Sequence, residues 1–191
     1  MDGMPPSETL SLVLSPPSVA GRVWVAFSGG LDSTVLLHRL AHDPVASRNG
    51  LQAIHVHHGL QPDADAWAAH CEALCATLDV PLRVHRVQVH AARGEGLEAA
   101  ARHARHAAFA EVMQAGDIVA LAHHRDDQAE TFLLRALRAS GPDGLGAMRT
   151  WRAFAPGWQW RPLLDTPRAT LHAYAMAHAL RWIEDPSNAG A

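Results

Sequence analysis

The chain has no lysine; all 16 of its basic residues are arginine among 191 residues. That absence excludes the phosphate loop G-x-x-x-x-G-K-S/T, whose lysine reaches the phosphates of a bound nucleotide. Cysteine is nearly absent too. Cys71 and Cys75 are the only two, which gives no disulfide framework and no C-x-x-C pair. Their i,i+4 spacing in an apolar helical pattern reads as buried packing. No apolar run reaches membrane-spanning length. The N-terminus carries Asp2, Glu8 and two proline pairs, not a basic stretch followed by a long apolar core, so no signal peptide is expected. A cytoplasmic location without membrane partners is the default. Excess positive charge is also missing: the formal charge is −3. This argues against nucleic-acid binding by bulk electrostatics, while leaving room for a local arginine patch. With 48% hydrophobic residues, the chain can bury the core of one globular domain.

What is present centres on Val23 to His38. Arg22–Phe27 is a short apolar run of β-formers and predicts a buried strand; Leu31, Val35, Leu36 and Leu40 have helical spacing. Between them lies Ser28-Gly29-Gly30-Leu31-Asp32-Ser33. Glycines let the backbone turn sharply and approach a ligand. The free N–H groups opening a helix, at the positive end of its dipole and beside hydroxyls, make an anion cradle. The pattern G-x-G-x-x-G is not found there.

Further elements follow in order. Met1–Gly21 is expected to be an N-terminal extension, only partly ordered. Strands are expected at Leu51–Val56, within Val80–Val89 and at Asp117–Ala122. Helices are expected at Leu31–His42, closed by Asp43-Pro44, then at Pro62–Leu78, at Leu97–Gln114 with Gly116 as its C-cap, at Arg125–Leu137 and at Pro167–Ala179. Trp151–Trp160 reads as a hairpin or one strand, and Arg181–Ile183 as a short strand-like end. Alternating strands and helices predict an α/β fold, a parallel sheet covered by helices on both faces. Ligands bind such sheets beyond the carboxyl ends of the strands. Three polar clusters fall there: Ser28-Gly29-Gly30, His57-His58-Gly59 and His123-His124-Arg125-Asp126-Asp127.

Paired carboxylates at a strand-to-helix junction suit Mg²⁺, which takes oxygen ligands and bridges phosphates. Adjacent helical residues point about 100° apart, so one of Asp126 and Asp127 faces the crevice, and Asp127 is the candidate. Asp32 is the candidate second ligand. Either carboxylate at 126 and 127 also suits capping of the helix. His123 is a candidate for charge neutralisation or proton transfer. The histidines and cysteines show no zinc-binding signature. Arg102 and Arg105 lie on one helix face, suited to a phosphate or to an ion pair with Glu98.

Ser28–Ser33 resembles the PP-loop of the ATP pyrophosphatases, which are Rossmann-like. That resemblance implies ATP as cofactor and Ser28, Gly29, Gly30, Leu31, Asp32 and Ser33 as its binding loop. Further segments resemble the tRNA(Ile)-lysidine synthase family within that superfamily: His55–Leu60, Gly96–Arg105, Leu121–Thr131, Ser140–Met148, Arg161–Leu164 and Trp182–Asn188. Together they cover about Val23 to Asn188. His57 stands where that family usually has Asn or Asp, and His106 where it has Tyr. Members often continue into C-terminal tRNA-holding domains, so residues 22–191 resemble the catalytic domain alone.

The resemblance implies a ligase. ATP would activate the C2 carbonyl oxygen of the wobble cytidine in a tRNA(Ile) with a CAU anticodon, pyrophosphate would leave, and free lysine would displace AMP. Catalytic candidates are then Asp32, Arg105, His123 and Asp127, with Asp127 and Asp32 holding Mg²⁺. Trp151, Trp158 and Trp160 are available to stack on a base. Two other readings compete: a PP-loop enzyme of tRNA thiolation, disfavoured by the C-x-x-x-C spacing, and a non-catalytic ATP-binding domain. Oligomeric state and lysine contacts have no sequence signal.

Overall fold

A strand buried on both sides has no polar face to alternate with, and three of the strands here are of that kind. The computed structural model describes residues 21–59, 62–89, 96–137 and 148–184. Strands β1 (Val23–Ala26), β2 (Gln52–His57), β3 (Leu82–Arg86), β4 (Ile118–Ala120), β5 (Trp151–Phe154) and β6 (Gly157–Trp160) form one sheet in the order β3-β2-β1-β4-β6-β5. All neighbours are parallel except β5, which pairs antiparallel with β6 as an edge hairpin. The mostly parallel α/β sheet matches expectation, and of the two readings of 151–160 the hairpin holds.

Helices are α1 (Leu31–Ala41), α2 (Pro44–Arg48), α3 (Ala64–Thr77), α4 (Leu97–Val112), α5 (Arg125–Leu137) and α6 (Arg168–Ala177). Alternate strand residues feed two cores. Val23, Val25, Ile118, Ala120 and Trp160 pack with Leu36, Cys71 and Leu171 from α1, α3 and α6. Trp24, Ile54, Val119 and Leu121 pack on the other face with Phe109 and Val112 from α4. Asp117, 3% exposed, ties the strand starts together. It accepts from Arg22 N–H at 2.8 Å, Trp24 Nε1–H at 3.1 Å and Gln114 N–H at 2.9 Å.

Several boundaries depart from the sequence expectation. Asp43 does not simply close α1; its Oδ1 accepts from Val45 and Ala46 N–H at 2.8 and 3.0 Å and so caps the added helix α2. Helix α4 stops at Val112 with Met113 as its cap, so Gly116 is not the C-cap: its N–H donates to Pro156 O instead. Residues 181–183 form no strand, because Ile183 N–H donates to the carbonyl of Gly29 in the loop after β1. The extension expected at 1–21 lies, except for Gly21, outside the described residues, as do Leu60, 90–95, 140–147 and Asp185–Asn188.

Candidate functional site

The strand order reverses between neighbouring β1 and β4, and a crevice opens beyond their carboxyl ends. It is a cleft of about 1660 Å³. Ser28, Gly30, Leu31, Asp32, Ser33, His58, Arg102, Arg105, His123 and Asp127 all line it. His57 does not: it is buried on the other side of β2, where its Nε2 lies 3.1 Å from Asp65 Oδ1 and 3.2 Å from an Arg86 nitrogen. The replacement at 57 therefore bears on α3 rather than on the cleft.

The loop after β1 is held by its own hydroxyls. Ser33 Oγ donates to Gly30 O at 3.1 Å, accepts from Ser28 N–H at 3.3 Å and sits 3.0 Å from Ser28 Oγ. Gly30 caps α1 with no side chain, which leaves the first helical N–H groups open to an anion. Gly29 has φ of +86°, and a Cβ there would meet Ile183 Cδ1 at 2.9 Å and Cys71 Sγ at 3.0 Å.

Asp32 and Asp127 converge on a residue not chosen from the sequence. His124, 5% exposed, places Nε2 3.6 Å from Asp32 Oδ2 and 3.7 Å from Asp127 Oδ2. Its Nδ1 accepts from Asp126 N–H at 3.2 Å, which puts the proton on Nε2. The Asp32 contact, with Asp127 and Asp126 behind it, raises the His124 pKa against the opposing effect of burial. Asp127 Oδ2 also accepts from His124 N–H at 2.8 Å, so this carboxylate caps α5 while it faces the cleft. Asp126 turns away and accepts from Arg168 N–H at 3.2 Å.

A divalent cation fits Asp32 and Asp127 on one observation. Asp32 Oδ1 is buried with no hydrogen-bond partner among the described residues. Two carboxylates suffice for Mg²⁺, which normally keeps waters and phosphate oxygens as its other ligands. Among the described residues, no group of three or more His, Cys, Asp or Glu is arranged to hold a metal ion by itself.

His123 departs from the role of a fixed cation. Burial, then Arg161, Arg105, Arg102 and His124, lowers its pKa to about 4, so it is neutral at neutral pH. Its buried Nδ1 has no partner among the described residues. The hairpin tryptophans are not cleft residues. Trp151 and Trp160 stack on each other at 5.2 Å, and Trp158 is absent from the lining. Trp67 and Trp182 line the cleft instead.

Arg161 was also missed as a site residue. It stands directly after β6, at the same kind of strand end as the other clusters, and that position was the available signal. It is 6% exposed and donates to Arg149 O at 2.9 Å and to Gln159 Oε1 at 3.0 Å. Gln128 clamps the next part of the wall through Met148, donating to its O at 2.9 Å and accepting from its N–H at 2.7 Å. Cys71 and Cys75 are buried, and burial pushes both thiols up to about 12.

Comparison with known proteins agrees with this geometry. A model of the PP-loop domain matches residues 7–191. The tRNA(Ile)-lysidine synthase of Xanthomonas axonopodis pv. citri is 65% identical over 175 residues, 92% of this chain and 40% of that protein. That of Alkalilimnicola ehrlichii is 54% identical over 182 residues, 95% of this chain and 41% of that protein. Among solved structures, the U34-tRNA thiolase NcsA of Methanococcus maripaludis matches with a TM-score of 0.67 and 18% identity, over 88% of this chain and 60% of that one. At that identity the likeness concerns the fold. The chain spans about two fifths of the length of the curated relatives it matches.

Proposed function

Because this chain belongs to the PP-loop family, we propose that it binds ATP on the loop Ser28–Ser33 and supplies the adenylating site of a tRNA(Ile)-lysidine synthase. The single observation that supports this reading most is the convergence of that loop, the Asp32–Asp127 pair and His123 on one cleft. The names of the relatives supply the substrate class.

The open N–H groups of α1 and the Ser28 and Ser33 hydroxyls receive the pyrophosphate part of ATP. Asp32 and Asp127 hold Mg²⁺, which when bound neutralises phosphate charge. The C2 carbonyl oxygen of the wobble cytidine attacks the α-phosphorus, the bond to pyrophosphate breaks, and pyrophosphate leaves with the electron pair. Arg105 stabilises the charge on the α-phosphate as it is attacked. His123, being neutral, meets a phosphate oxygen as an N–H donor rather than as a cation. The amine of free lysine then attacks C2, and AMP departs.

Sulfur transfer is the weaker reading: both thiols are buried and protonated at neutral pH, and thiolate is the reactive form. The test is pyrophosphate release from ATP and Mg²⁺, with and without unmodified tRNA(Ile) transcript and lysine. Release that needs RNA and metal, followed by retention of labelled lysine on the RNA, is the expected outcome. ATP binding without release in a full-length relative as well would favour a non-catalytic ATP-binding domain.

A further inference from the structure

The charge of the cleft runs against the charge of the chain. The formal total is −3, yet among the described residues seven arginines line the cleft against five carboxylates. Asp32 and Asp127 are gathered at His124. On the other wall stand Arg102 and Arg105 of α4, Arg152 of β5, and Arg161 just past β6. None of these four is within ion-pair distance of a carboxylate among the described residues.

Their placement follows from the fold. Arg152 pairs in register with Gln159 across the hairpin, and Arg161 donates to the Gln159 side chain. Gln159 pairs with Val119, a residue of the α4-side core. These arginines therefore enter from the α4 face and the sheet edge, whereas α1 and its phosphate loop enter from the other face. All four act on one ring: burial first, then Arg102, Arg105, Arg152 and Arg161, lowers the His106 pKa to about 4. Arg161 is nine-tenths buried, with an Nε that has no partner among the described residues. A buried cation held only by neutral oxygens, with other cations as its charged neighbours, is costly unless a ligand anion completes it.

Size points to the ligand. Pockets for small molecules commonly measure about 300–1,000 Å³, and this cleft of about 1660 Å³ is larger. The phosphate loop and carboxylate pair already account for a nucleotide's polyphosphate. Arg152 is exposed on the edge strand, open to a long ligand and not to an enclosed one. We propose that Arg102, Arg152 and Arg161, with Arg105 beside them, form a second anion site whose ligand is a backbone phosphodiester of the RNA next to the reacting nucleotide. This rests on the reading above that the acceptor is RNA. Guanidinium forks suit phosphate oxygens, and such contacts set register without reading sequence.

The test is a salt titration of binding between the 191-residue chain and a labelled anticodon stem-loop RNA, with ATP affinity measured separately. Arg161 also supports the wall, so the variants are Arg152→Gln, Arg152→Glu and Arg102→Gln, whose side chains are exposed. Arg152→Gln is expected to weaken RNA binding several-fold and to flatten the slope of log affinity against log salt by about 0.7–0.9. Arg152→Glu should weaken it further, with ATP affinity unchanged in both. An unchanged slope in all three variants overturns this inference alone. So does loss of ATP affinity with RNA binding intact, which would give the wall to the nucleotide. A wild-type chain with no RNA affinity at any salt overturns the RNA reading itself, and this inference with it.

Discussion

Gly29 holds φ at +86°, and the space its missing side chain leaves is already occupied by Ile183 and Cys71. Gly29→Ala adds a left-handed alanine and two short contacts. It should cost roughly 1–3 kcal/mol in urea unfolding and weaken ATP binding. Asp127 separates two roles that the sequence left as alternatives. Its Oδ2 caps α5 and also faces Asp32 across His124. Asn retains the accepting oxygen and loses the charge. Asp127→Asn should therefore keep its unfolding midpoint while pyrophosphate release falls by about 10²- to 10³-fold, the usual cost of losing one preorganised charge. Turnover equal to wild type would remove Asp127 from the metal site. The glycine loop and the aspartates were legible because their chemistry is local. His124 and Arg161 were not, because what marks them is burial beside charges that other elements bring, Asp32 of α1 at His124 and Arg102 of α4 with Arg152 of β5 at Arg161.

At the scale of elements, the seam between α1 and α6 is lined by histidine. The His38 ring lies 4.3 Å from His42 and 5.0 Å from His178, and its Nδ1 is 2.8 Å from Tyr174 Oη. Burial, then His42, His178 and Arg39, lowers the His38 pKa to about 4 from an ordinary 6.5. A folded-state pKa below the unfolded one means that the unfolded chain takes up the proton first. Stability is therefore complete above about pH 6.5 and declines as pH falls towards about 4. His106 and His123 titrate in the same window. Urea midpoints measured across that range should fall with acidity, and His38→Gln should make the fall shallower. An identical slope in that variant would show that the seam does not contribute. The periodicity of both helices was readable; their shared histidine seam was not, because the pairing of α1 with α6 is a tertiary fact. The same holds for 181–183, whose β-forming residues suggested a strand until Gly29 claimed the Ile183 N–H.

For the whole molecule, the alternation of strands and helices was enough to give the parallel sheet and the strand ends where ligands gather. The edge order was not, since β6 reaches β4 across the chain, and the hairpin so placed brings Arg152 of β5 and Arg161 just past β6 to a wall that no local pattern joins. The result is a molecule acidic in sum and cationic within its cleft. Raising salt should therefore weaken RNA binding far more than ATP binding, when both are followed on one sample.

The bond from Ile183 N–H to Gly29 O, at 2.8 Å, has a consequence for synthesis. Its two ends leave the ribosome far apart in time: at ~5–20 residues per second, Ile183 follows Gly29 by roughly 10–30 s. Until then the phosphate loop lacks the strap that closes it, and the growing chain holds an unfinished nucleotide site. Stalled nascent chains ending before Trp182 should retain an immobilised ATP analogue poorly, and chains extended well past Glu184 should retain it. Nucleotide capture would then mark the moment at which translation of this domain is complete.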